Sequence, residues 1–316
     1  MQAGRMNWHE FFQLSFFKPM LWIGGAALPL FVIAWWRDRE AGSALPLALL
    51  GLVWAVCHVK VYTLSYLLPP KEAVDWLVPG AEVLTLLGLV AWWLRERKIP
   101  VAFLSALIIA AAAWLALRQL PWLLHRGEAP AQRLIWTVAG CVGVLAAFLS
   151  AEWTASRVSP AAVLGGLAIF SLLAGLGLWS MASPERTIAR PLAVTAMGAG
   201  AAVAALLRSR TAVLTPGMAG WIGGGILILF YCGCLSRVTS VPVWPMAAAV
   251  AGIPAATLLV ALHRRLFFSG TGMAWLAGLL LSGAAVYWLC AADQQRQTGL
   301  QVSPASTGAD DTGAYD

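Results

Sequence analysis

The chain has 316 residues, of which 60% are hydrophobic and 11% charged, with a net charge of +7. An average soluble domain carries roughly 25% charged residues, so a single water-soluble core is excluded and lipid is the natural solvent. Basic residues gather in loops, where they suit anionic headgroups, and no basic run with interleaved aromatics points to nucleic acid.

The first 18 residues form an interfacial collar, in which Trp8, Phe11, Phe12 and Phe16 fall close together on a helix and Pro19 stands at the start of the first span. Residues 19–291 read as a transmembrane helical domain. A spanning helix needs roughly 20 apolar residues, and stretches of that kind occupy 17–36, 45–68, 77–94, 101–123, 134–155, 160–182, 190–207, 217–235, 243–262 and 271–291. The sequence therefore predicts an all-α, polytopic bundle of about ten spans. The number falls to eight or nine if weak segments such as the seventh, rich in Ala and Gly and flanked by Arg190 and Arg208, do not cross. The first stretch ends in Trp35-Trp36-Arg37 without a small-x-small cleavage site, so it reads as a retained helix. From Ala292 to Asp316 the chain is polar and is predicted to be a disordered tail.

Trp35-Trp36-Arg37 closes the first span and Trp92-Trp93-Leu94-Arg95 the third, as expected where Trp sits at headgroup level and Arg in water. In the later spans Gly220-x-x-x-Gly224 and many Ala and Gly make small-residue faces. Such faces imply close helix packing, within the chain or with another subunit. The five cysteines all lie in apolar stretches; their odd number and placement argue against a disulfide framework.

Ionisable groups inside hydrocarbon are costly and usually mark a working site. Four sit near one side of the bundle, at the even-numbered loops. At about 1.5 Å per residue, His58 lies roughly 15 Å and Lys60 roughly 12 Å inside the far end of the second span. Glu82 lies about 7 Å into the third span and Arg118 about 7 Å from the end of the fourth. His58 aligns with Tyr62 and Ser65, whereas Lys60 points to the other face. The candidate ligand-binding residues are thus His58, Tyr62, Glu82 and Arg118. An imidazole and a carboxylate there can take the protons that a quinol sheds on oxidation, or couple protons to a transported solute. The structural alternative is that Glu82 pairs with Lys60 or Arg118 while the basic side chains reach toward the headgroups. Glu152, near the end of the fifth span, is expected at the interface.

No phosphate-binding loop, His-Glu-x-x-His or Cys-x-x-Cys-His occurs. His9, His125 and His263 do not match the depth of His58, so a bis-histidine haem is not expected and no metal site is predicted.

Trp8-His9-Glu10, Gly24-Gly25 in the first span, His58 in the second and Glu82 early in the third resemble the membrane anchor subunits of dimethyl-sulfoxide-reductase-type and polysulfide/nitrite-reductase-type enzymes. Arg118, Ile135-Trp136-Thr137 and Arg265-Leu266-Phe267-Phe268 fit the same outline, whereas the family's His-Leu-Gly segment reads His58-Val59-Lys60 and its late Gly-Glu…Gly-Arg motif is missing. The resemblance implies a haem-free, multi-pass subunit of the cell (inner) membrane with its N-terminus outside. It would oxidise quinol at His58 and Glu82 and pass electrons to an iron–sulfur partner, with no cofactor held within the chain. A proton-coupled secondary transporter and a structural subunit without a site remain open beside it.

Lys and Arg are equally numerous on the two sides, but in the odd loops they are concentrated in tight turns such as Arg95-Glu96-Arg97-Lys98. That places the odd loops in the cytoplasm and both termini outside. The expected outcome of single-cysteine labelling in a background free of native Cys is surface reaction at the C-terminal tail and none at residues 95–98. The reverse pattern would invert the topology.

Overall fold

The computed structural model describes residues 25, 27–33, 44–62, 76–94, 100–119, 130–181, 192, 195–204, 214–235, 242–266 and 270–302, without the side chains of 57–62, 266 and 298–302. The N-terminal collar lies outside them. Among the described residues the chain has no strand and folds into ten helices: α1 (27–33), α2 (Leu45–Tyr62), α3 (Leu77–Trp93), α4 (Val101–Arg118), α5 (Pro130–Ala155), α6 (Pro160–Ser180), α7 (Thr195–Ala204), α8 (Met218–Leu235), α9 (Val243–Leu266) and α10 (Thr271–Val302). Six of them, α4, α5, α6, α8, α9 and α10, are long and apolar enough to cross a membrane. In lipid, a helix satisfies its own backbone polar groups, so long apolar runs fold this way. The chain is a multi-pass membrane protein built as a helical bundle.

The bundle is organised around α8. Every residue of this helix is buried, whereas the other five long helices bury between a third and just over half of their most apolar stretch. Helices α2, α4, α5, α6 and α9 all pack on it. Its glycines make this possible. A Cβ at Gly220 would meet the ring of Phe148 from α5, and one at Gly224 would meet Ile109 from α4 and Val144 from α5. A Cβ at Gly225 would fall 2.5 Å from the Trp54 ring of α2, and one at Gly233 2.6 Å from Leu178 of α6. The small-residue face read from the sequence is therefore spent on contacts within the chain, and on all sides of the helix rather than one. Trp221 and Trp54 meet edge to face at 6.1 Å in this core.

Polar side chains join the surrounding helices. Thr154 on α5 and Thr257 on α9 share a hydrogen bond of 3.1 Å, and each also bonds to the carbonyl four residues before it. The indole N–H of Trp275 on α10 donates to the Val163 carbonyl of α6, and the Ser171 hydroxyl donates to the carbonyl of Leu192. Pro254 lies inside α9, which nonetheless continues; neighbouring helices make such a residue tolerable in a bundle. Among the described residues Cys141, Cys232, Cys234 and Cys290 form no disulfide, and the last three are fully buried.

One boundary departs from the sequence reading. Helix α10 does not stop at the polar residues that begin at Ala292 but runs to Val302. A hydrogen bond from Gln297 to Asp293, one turn apart, accompanies this extension. Residues 303–316 lie outside the described part.

Helices α2 and α3 form a tight hairpin in which a Cβ at Gly88 would fall 2.5 to 2.8 Å from the backbone and Cβ of Ala48. Backbone atoms cannot swing aside, so Gly88→Ala is expected to lower stability by about 1–3 kcal/mol through overpacking. Gly200→Ala, where nothing lies within 4 Å, should be neutral or slightly stabilising. Thermal unfolding of both variants in detergent measures the contrast; equal melting temperatures would refute the close approach.

Candidate functional site

The even-loop ends of α3 and α4 are fastened together. Trp76, at the N-cap of α3, donates its indole N–H to Oε1 of Gln119, at the C-cap of α4, across 2.7 Å. Glu82 lies five residues into α3 and is exposed, on a flank shared with Val83 and Leu86. Those two side chains are themselves exposed, so the carboxylate is displayed on the outer surface rather than toward the interior. Arg118 is also exposed and stands in the last turn of α4, at the helix end rather than a turn inside it. Among the described residues Glu82 and Arg118 form no ion pair with each other.

His58 and Tyr62 belong to the last turns of α2; their side chains, like that of Lys60, lie outside the described part. The backbone register still fixes their level. Gly88 stands against Ala48, and Gly51 against Ala81 and Thr85. Continuing this antiparallel pairing brings His58 level with the first turn of α3. The depths inferred from the sequence are thereby reversed: Glu82 is about one turn deeper than His58, not shallower. The reversal follows from the register of α2 against α3, which the apolar run of a single helix does not carry.

A second polar centre lies at the opposite, odd-loop end, and the sequence reading missed it. Glu152, placed at the interface by its position near the end of α5, turns its carboxylate into the bundle. Its Oε1 accepts a hydrogen bond of 2.8 Å from the backbone N–H of Gly220, and the amides of Gly217 and Ala219 also bond to the carboxylate. These are among the first N–H groups of α8, which have no partner within their own helix. A negative charge there is further favoured by the helix dipole. Gly217, with φ +92°, turns the chain into the helix, and a Cβ at this position would sit 2.5 Å from the Ser105 hydroxyl of α4. The hydroxyl of Ser105 and the indole N–H of Trp221 are buried without a hydrogen-bond partner among the described residues. The signal available in the sequence was an acid closing the fifth span on the same side as a Thr215-Pro216-Gly217 start to the eighth, but nothing in the chain order says that the two spans are neighbours.

Glu152 and the even-loop residues are thus separate centres, at opposite ends of the bundle. Among the described residues no group of three His, Cys, Asp or Glu side chains is placed to hold a metal ion. The chain matches no family model, no curated protein and no solved structure.

Because Glu152 holds the amino end of a helix that water does not reach, its removal should act on stability. Glu152→Ala is expected to cost about 1–3 kcal/mol, the usual range for stranded buried donors, and Glu152→Gln less, since the amide oxygen still accepts. Ser105→Ala removes a buried, unpartnered hydroxyl and should be neutral or stabilising. Melting temperatures in one detergent test the order Ala below Gln below wild type; a silent Glu152→Ala would show that the cap carries no energy.

Proposed function

We propose that this multi-pass membrane protein is an anchor subunit that receives a lipid-soluble quinol at its even-loop face and passes the electrons to an iron–sulfur partner. The observation that carries the reading is the placement of Glu82. An ionisable carboxylate about 7 Å into a helix and facing lipid is costly unless it is used. A quinol diffusing in the bilayer reaches such a group from the side, without a channel from water. On oxidation the quinol releases two protons and two electrons. Glu82 takes one proton as general base, and His58, one turn nearer the surface, is the acceptor of the second. Tyr62, one turn beyond His58 on the same helix, and Arg118, at the end of α4, complete the proposed headgroup contacts. The Trp76–Gln119 hydrogen bond keeps the ends of α3 and α4 in fixed register around them. The electrons leave to the iron–sulfur partner.

The test uses the full chain in detergent or, with its partner, in liposomes. A short-chain quinol is expected to quench tryptophan fluorescence on binding, and Glu82→Gln to lower quinol-dependent electron transfer about 10²-fold or more while the protein still inserts and assembles. Lys60→Met is expected to do less. A silent Glu82→Gln would end the quinol reading. Uptake of a solute by the purified chain alone, with no electron acceptor present, would replace it with proton-coupled transport.

A further inference from the structure

The odd-loop end of the bundle collects cations from helices distant in the sequence. Arg157, exposed just beyond α5, stacks its guanidinium 3.9 Å from the ring centre of Trp153 and donates to the Trp153 carbonyl and the Ser156 hydroxyl. The Thr154–Thr257 hydrogen bond sets α5 and α9 side by side. Contacts of Gly143 with Val250, and of Gly223 with both Ala147 and Ile253, show that the two helices run in the same direction. The next turns of both therefore emerge at the same end. On α9 these turns carry His263, Arg264 and Arg265, with both arginines exposed. The start of α10 closes the cluster. Gly270 lies 3.4 Å from the His263 ring and Gly272 3.9 Å from the Ser159 hydroxyl, measured from the position of a Cβ. Arg157 and the α9 cations thus flank one short stretch of chain.

Directly below these cations, toward the bilayer centre, the surface is apolar and open. Leu258 and Leu262 on α9 are 63% and 55% exposed, and Met273 on α10 is 69% exposed. Cationic side chains above an exposed aliphatic wall match an amphiphile with an anionic head and hydrocarbon tails. The half-buried Trp153 beneath Arg157 fits the boundary between the two zones. We propose that the odd-loop ends of α5, α9 and α10 form a headgroup site for an anionic phospholipid, whose phosphate is held by Arg157, Arg264 and Arg265 and whose acyl chains lie along Leu258, Leu262 and Met273. This site is independent of the quinol reading and lies at the other end of the bundle. It also assigns the odd-loop end to the leaflet richer in anionic lipid.

The experiment is native mass spectrometry of the detergent-solubilised full chain titrated with phosphatidylglycerol or phosphatidylcholine of equal chain length. Wild type is expected to retain phosphatidylglycerol at least tenfold better. Each arginine near a membrane surface contributes roughly fivefold, so Arg157→Gln, Arg264→Gln and Arg265→Gln together should remove the preference. The corresponding triple lysine variant should keep most of it. If the triple glutamine variant fails to fold, Arg265→Gln alone should lower the preference severalfold. Equal retention of the two lipids by wild type, or an unchanged preference in a folded glutamine variant, would overturn the site. Displacement of the lipid by millimolar inorganic phosphate would reassign it to a soluble anion and likewise overturn the proposal.

Discussion

The structure depends on placing an entire helix out of contact with lipid. In a bilayer no hydrophobic force drives one apolar helix against another, because lipid tails are as apolar as leucine. Association then rests on van der Waals contact and on the polar groups that a helix cannot satisfy alone. Helix α8 meets both requirements. Four of its glycines let Phe148, Ile109, Trp54 and Leu178 come against it from different sides. Its leading amides, stranded away from water, find the carboxylate of Glu152. Stranding such buried donors costs about 1–3 kcal/mol, so the acid and the central helix belong together physically.

Around this centre the outer helices divide the work. The α2–α3–α4 side is fastened by close backbone approach at Gly88 and by the Trp76–Gln119 hydrogen bond. The α5–α9 and α6–α10 contacts use the Thr154–Thr257 pair and the Trp275 indole, each hydrogen-bonded across a helix boundary. Polar groups at the outer edge are left to face lipid or headgroups, and the two kinds of ionisable residue separate accordingly. Glu152 is consumed by the architecture, whereas Glu82 has no role in packing and is displayed outward. That contrast is why Glu82, and not the more enclosed acid, supports a function exercised on a bilayer-soluble partner.

The residues singled out from the sequence lie toward one end of the bundle, with Glu82 about one turn deeper than His58. Glu82 and Arg118 were legible as ionisable groups near the even-loop ends of their helices, and their helices do pack together. Their outward direction was not legible. Helices α3 and α4 are apolar on nearly every side, so the hydrophobic pattern gives no face to distinguish lipid from protein. The depth of His58 relative to Glu82 was misjudged because the register between two helices is not written in the apolar run of either one. Glu152 was passed over for a related reason: an acid close to a span terminus is ordinary at an interface, and only its neighbour makes it exceptional.

Composition and run length determined that this is a multi-pass all-α membrane protein, because apolar runs of roughly 20 residues without alternation satisfy their backbone in lipid as helices and not as barrel strands. They also located α3, α6 and α8 to within two residues at each end, and implied from the glycines that helices pack tightly. The end of α10 was placed too early, since polar residues can extend a helix beyond the bilayer. Tertiary structure decided which span sits at the centre, which helices are neighbours, and whether an acid faces the core, the lipid or water. These are properties of pairs of helices far apart in the chain. In an apolar solvent the residue pattern of one helix carries little record of its partners, because protein and lipid ask for the same side chains.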